Sequence, residues 1–369
     1  MSRIKNPFSV NRVATASIAT GLALVLTACG GGTDSPTPND VATNTEGQSE
    51  ELSGEVTLIA HDSFTFPDEL IADFEEKTGL TLNVTTTGDG GQLANQLVLT
   101  KDAPLADAFF GVDNSFVTGL IEAGAVDPYT PESLGESATE FAADDAGSVT
   151  PVDHGYVCFN ADDAWFEENG LAAPETLDDL TDEAYRGLTV VMDPTASSPG
   201  AAMLFATVAK FGEDGYRDYW TKLLANDTKV VQGWSDAYYV DFSGGGEDGQ
   251  YPIVVSYNTS PAYTVAEGSD ESTTSVLLDT CTRQVEYAGV LAGAKNPAGA
   301  RAVIDYLVSQ DFQDTVAETM YMYPVLPSGA VPDEWQNWAP VPQHSLDLAP
   351  DQITANRAAW LDEWSQLAG

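Results

Sequence analysis

"EVTLIAHDSFTFPDELIADFEEKTGLTLNVTT" occupies residues 55–86 and sets the fold class. "EVTLIA" (55–60) is a short apolar run of strand length. "FPDELIADFEEKTG" reads as a helix. Pro67 stands near its first turn, the acids Asp68 and Glu69 sit beside the positive end of its dipole, and Gly79 ends it. Leu70, Ile71 and Phe74 share one face, as a helix packed on a sheet requires. "LTLNVTT" (80–86) is the next strand. Strand, helix, strand within about thirty residues implies a parallel pair joined by a crossover helix.

The rhythm continues outward. "GDGGQLANQLVL" turns through glycines into a helix, "ADAFFGV" (106–112) is a strand, and "DNSFVTGLIEAG" is a helix closed by Gly124. "GSVTPVDHGYVCFN" (147–160) breaks the pattern with a long extended run. "GLTVVMDP" (187–194) opens a second α/β set, followed by the helix "SPGAAMLFATVAKFG" and the strands "YPIVVSY" (251–257) and "CTRQVEYAGVLAG" (281–293). "NPAGARAVIDYLVS" and "DFQDTVAET" read as helices, and "APDQITANRAAWLDEWSQLAG" closes the chain as a helix capped by Asp351. No internal repeat appears. The pattern predicts two α/β domains with more than one crossing between them, and parallel sheets covered by helices.

The N-terminus is a targeting segment. Arg3, Lys5 and Arg12 precede the apolar run "VATASIATGLALVLTA", which is short and Ala/Thr-rich for a membrane span. This is a secretory signal pattern, and Leu26-Thr27-Ala28-Cys29 resembles a bacterial lipobox, with Cys29 the lipidated first residue of the mature chain. A retained membrane anchor is the alternative. Residues 30–54 have almost no apolar content and read as a tether. The formal charge of −43 rests on 57 Asp+Glu against 14 Lys+Arg. Such a balance excludes a nucleic-acid binder, which needs a basic patch, and docking on anionic lipid. Of the three cysteines, lipidation takes one. Cys158 and Cys281 remain as an even pair in an oxidising compartment, each in an expected crossing strand. A disulfide is expected there; two buried thiols are the alternative.

Ligands of open α/β sheets sit beyond the carboxyl ends of the strands. "HDSF" (61–64), "VDN" (112–114), "DPTASSPG" (193–200) and "YNTSPAY" (257–263) all follow strands, and "MYMYPV" (320–325) lies near the end. No GxSxG, HExxH, CxxC pair or P-loop occurs. Consecutive His61-Asp62-Ser63 cannot form a catalytic relay, whose groups converge from separate segments. Tyr238-Tyr239 could serve ferric iron, but adjacent side chains on a helix diverge by about 100°, and Tyr238 inside with Tyr239 partly outside is the plainer reading. Trp234, Tyr257, Tyr263 and Tyr321 come from separate loops and suit an organic cation, which gains about 0.5–2 kcal/mol over an aromatic face. Ordinary core packing is the alternative for each ring alone. Ser197 and Ser198 precede a helix beginning at Pro199-Gly200, a natural anion cradle. A cationic ring at one end and a hydroxyl or phosphate at the other describes a vitamin such as thiamine.

Taken together, "HDSF", "GVDN", "PVDHGYVCF", "MDPTASSPG", "QGWSDAY", "VVSYNTSPAY" and "MYMYPV" resemble the periplasmic thiamine-binding protein family, the substrate receptors of thiamine ABC importers. The resemblance runs from about Val56 to about Trp364. It implies a type II periplasmic-binding-protein fold: two α/β lobes, a hinge, and a ligand cleft between them. It places lobe 1 at 55–152 plus 286–330 and lobe 2 at 153–285 plus 331–369, after a signal peptide (1–28) and a lipid-anchored tether (29–54). Stacking and lining fall on Trp234, Tyr257 and Tyr263, the acidic partner on Asp113, and the hydroxyethyl or phosphate contact on Ser197 and Ser198. His61, before Asp62, stands where the family motif has Tyr, and Tyr321 where it has Trp. The resemblance implies no catalysis, no cofactor, no metal, a monomer, and permease subunits as partners. A same-fold receptor for ferric iron or a polyamine, and a secreted hydrolase, are the competing readings.

Overall fold

The computed structural model describes residues 52–246, 248–265, 268–269 and 271–369. The signal peptide, Cys29 and all but the last three residues of the tether lie outside them.

The opening stretch folds as read. Strand β1 (Gly54–Ala60) leads through α1 (Asp68–Thr78) to β2 (Leu80–Thr86), which pairs with β1 in parallel. Phe74 is fully buried, and Leu70 and Ile71 pack beside it at the core's margin. Gly79 ends α1 in the left-handed conformation. Next come α2 (Gly90–Leu99), β3 (Ala108–Asp113) and α3 (Val117–Glu122), with β3 on the other side of β1 and again parallel. A short β4 (Val126–Asp127) and α4 (Ser137–Glu140) follow.

The long run that breaks the rhythm is β5 (Thr150–Asp162), after which α5 (Asp163–Asn169) leads into the second set. That set is β6 (Thr189–Met192), α6 (Ser198–Ala225), β7 (Lys229–Val231) and β8 (Ile253–Tyr257), with β6 parallel to both β7 and β8. A short α7 (Ser260–Tyr263) precedes β9 (Thr274–Leu291), the longest strand. The chain ends with α8 (Pro297–Leu307), α9 (Gln310–Gln313), α10 (Val316–Met320), β10 (Tyr323–Pro324), α11 (Trp335–Trp338) and α12 (Pro350–Ala368).

Three expectations need correction. The parallel sets do not form separate sheets: one continuous sheet runs β2-β1-β3-β9-β5-β8-β6-β7. Its centre is antiparallel, because β9 pairs with β3 on one side and with β5 on the other, each time in the opposite direction. The two crossing segments return along each other, so their ladders fuse the lobes' sheets. Asp351 does not cap α12. Ala349 holds that position, and the Gln352 side chain accepts its N–H at 3.2 Å. "DFQDTVAET" is also broken in two, at α9 and α10.

Helix α12 docks on α6 through aromatic rings. Trp364 meets Trp220 edge-on at 5.7 Å, and Trp360 meets Phe205 at 5.6 Å. Burying such rings accounts for the closing helix having tryptophan at positions 360 and 364, one turn apart. Cys158 and Cys281 are joined by a disulfide between β5 and β9, with Cα atoms 4.2 Å apart. No described helix is long and apolar enough to cross a membrane.

Candidate functional site

The strand ends converge on a closed cleft between the two parallel sets. His61 follows β1, Asp113 ends β3, Trp234 lies just beyond β7, and Tyr257 ends β8. His61 lies against Gly111, whose φ of +89° forms a bulge in β3; a Cβ there would come within 2.0 Å of the imidazole. The bulge lets the ring rest on the strand. His61 Nε2 is 3.7 Å from Glu286 Oε2, an ionic contact too long for a hydrogen bond. Burial works against charge on this imidazole, but Glu286, then Asp89 and Asp62, outweigh it and raise its pKa.

Asp113 is fully buried. Its Oδ1 accepts the Ser115 N–H at 3.2 Å, and Oδ2 has no partner. It does not cap α3, which starts four residues later. Burial, reinforced by Glu286 and opposed by Ser115 and Ser198, pushes its carboxyl up to about 7. The neutral form is favoured on folding, so stability is full below the ordinary carboxylate range and is lost as pH rises to about 7. Asp113→Asn cannot ionise. Its melting temperature without ligand should gain on the native protein from pH 4 to pH 7, with a constant gap beyond. Scanning calorimetry checks this, and a gap that does not change with pH defeats it.

Trp234 is half-buried. Its indole N–H donates to Ser256 Oγ at 2.9 Å, and one face stacks on Tyr238 at 4.9 Å with planes 14° apart. Tyr257 stands 6.1 Å away at a steep angle. The Tyr257 phenol accepts from Gln284 Nε2 at 3.1 Å, and burial first, then Glu286 and Asp89, hold it neutral. These rings and acids form one inner group.

Tyr263 and Tyr321 belong to a second, outer group with Tyr239. Tyr263 is 45% exposed and Tyr239 46%. Tyr263 contacts Tyr321 at 5.4 Å and Tyr238 at 6.2 Å, and Tyr239 meets Trp234 at 5.1 Å with the planes nearly perpendicular, so Tyr238 and Tyr239 both link the groups. Tyr321 adopts φ +54°, unusual for a bulky residue, and stacks on Trp335 at 6.2 Å. Asp62 is exposed; its carboxylate takes only the Ser63 hydroxyl at 3.3 Å. Tyr238 is buried and Tyr239 half out. Among the described residues no group of three or more His, Cys, Asp or Glu is placed to hold a metal ion.

Ser197 caps α6 by accepting from Gly200 N–H at 3.3 Å. The first N–H of the helix, on Ser198, already has an anion: Asp89 Oδ1 accepts it at 2.9 Å. Asp89 Oδ2 accepts the Trp234 N–H at 2.9 Å. Asp89 was not singled out by the motifs, nor were Asp153, Gln284 and Glu286. A signal existed for the last two: "RQVEY" places polar residues two apart in an apolar strand, on one buried face. Two open hollows lie elsewhere. One of about 220 Å³ is walled by Phe141, Phe205, Arg283 and Leu348; the other, of about 370 Å³, lies beside Trp335 and Val341. Neither holds the converging, unpartnered polar atoms found in the cleft.

The sequence profile of the bacterial extracellular solute-binding proteins matches residues 103–347, well over half of the chain. The chain belongs to that family. The thiamine-binding periplasmic protein of Salmonella typhimurium is 28% identical over 318 residues, covering 84% of this chain and 92% of that protein. A solved periplasmic thiamin binding protein superposes with a TM-score of 0.74 at 26% identity, over 85% of this chain and 96% of the other. An iron-bound binding protein from Pseudomonas aeruginosa shares the fold, with a TM-score of 0.66 at 20% identity, over 85% and 99%. The solute-binding protein thus has the type II fold: two α/β lobes, a hinge of crossing strands, and a cleft between.

Proposed function

We propose that this solute-binding protein captures thiamine, or a phosphorylated thiamine, and delivers it to the permease of an ABC importer without chemical change. The observation that carries the reading is the inner group: an indole and a phenol beside Asp113, Glu286 and Asp89, in a cleft whose net charge suits a cation. The thiazolium would take the face of Trp234 opposite Tyr238, and the unpartnered Asp113 Oδ2 would accept from the aminopyrimidine. Tyr263 and Tyr321 would close the rim. Ser197 and Ser198 would meet the hydroxyethyl end. With lobes taken as 55–152 plus 286–330 and 153–285 plus 331–369, the first two of the three crossings fall at Asp153 and Glu286, partners in register. A lipid on Cys29 would tether a monomer outside the membrane. No observation favours iron or a polyamine over this cation.

Titrating thiamine into the mature protein while following tryptophan fluorescence tests the reading. Quenching with saturation at one ligand per chain is expected; unchanged emission, with no calorimetric heat, sinks it. Trp234→Ala should weaken thiamine by about 2 kcal/mol, near thirtyfold, by removing a cation–π face and apolar contact. An unaltered Kd would take Trp234 out of the site.

A further inference from the structure

Three acids lie abreast across three neighbouring strands. Asp113 of β3 is paired in register with Glu286 of β9, and Glu286 with Asp153 of β5. Directly opposed residues of antiparallel strands project to the same face, so the three carboxyls share one face at the centre of the sheet. Asp113 and Asp153 are 0% exposed and Glu286 6%. Asp113 Oδ2 and both oxygens of Asp153 have no hydrogen-bond partner.

The surroundings do not neutralise three charges. From the end of β1, His61 reaches Glu286. From the start of α2, Asp89 adds a further acid. From α6, Ser198 faces Asp113, and from β8 the Tyr257 phenol faces the acids. On β9, Gln284 donates to Glu286 Oε1 at 3.3 Å. Arg283 of β9 lies over the Phe141 ring, and Arg357 of α12 bonds to the carbonyl oxygens of Ser115 and Phe116. On β10, Pro324 opposite Asp153 is uncharged. Like charges this close in a buried site disfavour ionisation of Asp113 and Asp153 beside Glu286. Two other buried polar atoms beside the row also lack partners, Gln284 Oε1 and Ser198 Oγ. They mark a place that a donor- and acceptor-bearing ligand completes.

We propose that Asp113 and Asp153, on either side of Glu286, form a proton-exchange row, which stores a proton while the cleft lacks a cation and releases one to solvent when a monocation binds. The row rests on the thiamine reading and deepens it: Glu286 and Asp153 become specificity-determining residues for positive charge. Charge balances, since the cation enters as the proton leaves. Burial, and then Glu286, raise the Asp153 carboxyl, in line with a stored proton. Release of one proton makes thiamine affinity fall about tenfold per pH unit on the acid side.

Two measurements on the mature protein test this. Infrared difference spectra of ligand-free protein at pH 6 should show a protonated buried carboxyl band that Asp153→Asn diminishes. Calorimetry with thiamine at pH 6, in two buffers of different ionisation enthalpy, should give close to one proton released per ligand. A neutral analogue without the ring charge should release none, and Glu286→Gln should cut the release by half or more while circular dichroism stays native. Thiamine binding with no proton released, or no carboxyl band, overturns the row. A band with no thiamine binding overturns the thiamine reading and the exchange, but keeps the stored proton.

Discussion

Replacing Cys158 and Cys281 together by Ala should lower unfolding free energy by about 4 kcal/mol. The bridge closes a loop of 123 residues, and chain entropy assigns roughly 4.7 kcal/mol to a loop of 100, with native strain subtracting. Both side chains are fully buried, and Ala adds no polar group, so the lost constraint on the unfolded chain dominates. The cross-link joins β5 to β9 where these strands run side by side, and Cys158 is also in register with Ser256 of β8, which accepts the Trp234 indole N–H. Ala at both positions keeps that backbone ladder, so thiamine affinity at 25 °C should change less than fold stability does. Guanidinium unfolding of the double variant and of native protein, without reductant, gives the difference. A midpoint equal to the native one would show that the bridge contributes nothing.

Asp89→Ala should weaken thiamine about a hundredfold, near 3 kcal/mol. One carboxylate accepts three backbone N–H groups: Gly90 at 2.6 Å, Ser198 at 2.9 Å and Trp234 at 2.9 Å. It stands between the starts of α2 and α6, whose dipoles both favour an anion. It thereby ties the start of α2 to the start of α6 and fixes the segment bearing Trp234. Truncation leaves buried N–H groups unpaired, at about 1–3 kcal/mol each. Around it, Gln92 N–H donates to the Ala196 carbonyl at 2.9 Å, and Ser63 and Ser235 hydroxyls meet at 3.1 Å. Arg357 of α12 adds bonds to the Ser115 and Phe116 carbonyls, so loss of Asp89 weakens closure without abolishing it. Calorimetry gives the affinity, and small-angle scattering should show a larger radius of gyration with thiamine present. Asp89→Asn, which keeps acceptor capacity without charge, should fall between. Native affinity in Asp89→Ala would mean that closure does not depend on this carboxylate.

Much was fixed by local chemistry. Strand–helix–strand periodicity over residues 55–86, with Pro67 and Gly79 as punctuation, determines the parallel pair, because each side chain's face follows from backbone repeat alone. Apolar runs ending in His61, Asp113 and Tyr257 place those residues at strand ends for the same reason. The pairing of Cys158 with Cys281 followed from their number and from two extended runs. What the sequence could not decide depends on which strands become neighbours. The antiparallel centre of the sheet comes from β9 and β5 running along each other, a contact between segments 120 residues apart with no local mark. That contact, together with the pairing of β9 on β3, puts Asp113, Glu286 and Asp153 at one level. Asp89 looks like an ordinary helix cap in "GDGG"; only the approach of α6 and Trp234 gives its second oxygen a partner and turns the cap into a clasp. The aromatic residues 234–263 look like one pocket in the sequence, yet the fold sorts them by depth: Trp234 and Tyr257 sit with the acids, and Tyr239 and Tyr263 lie at the rim. Depth is a property of packed elements, set by how much of each ring neighbouring segments can cover, and no spacing along the chain encodes it.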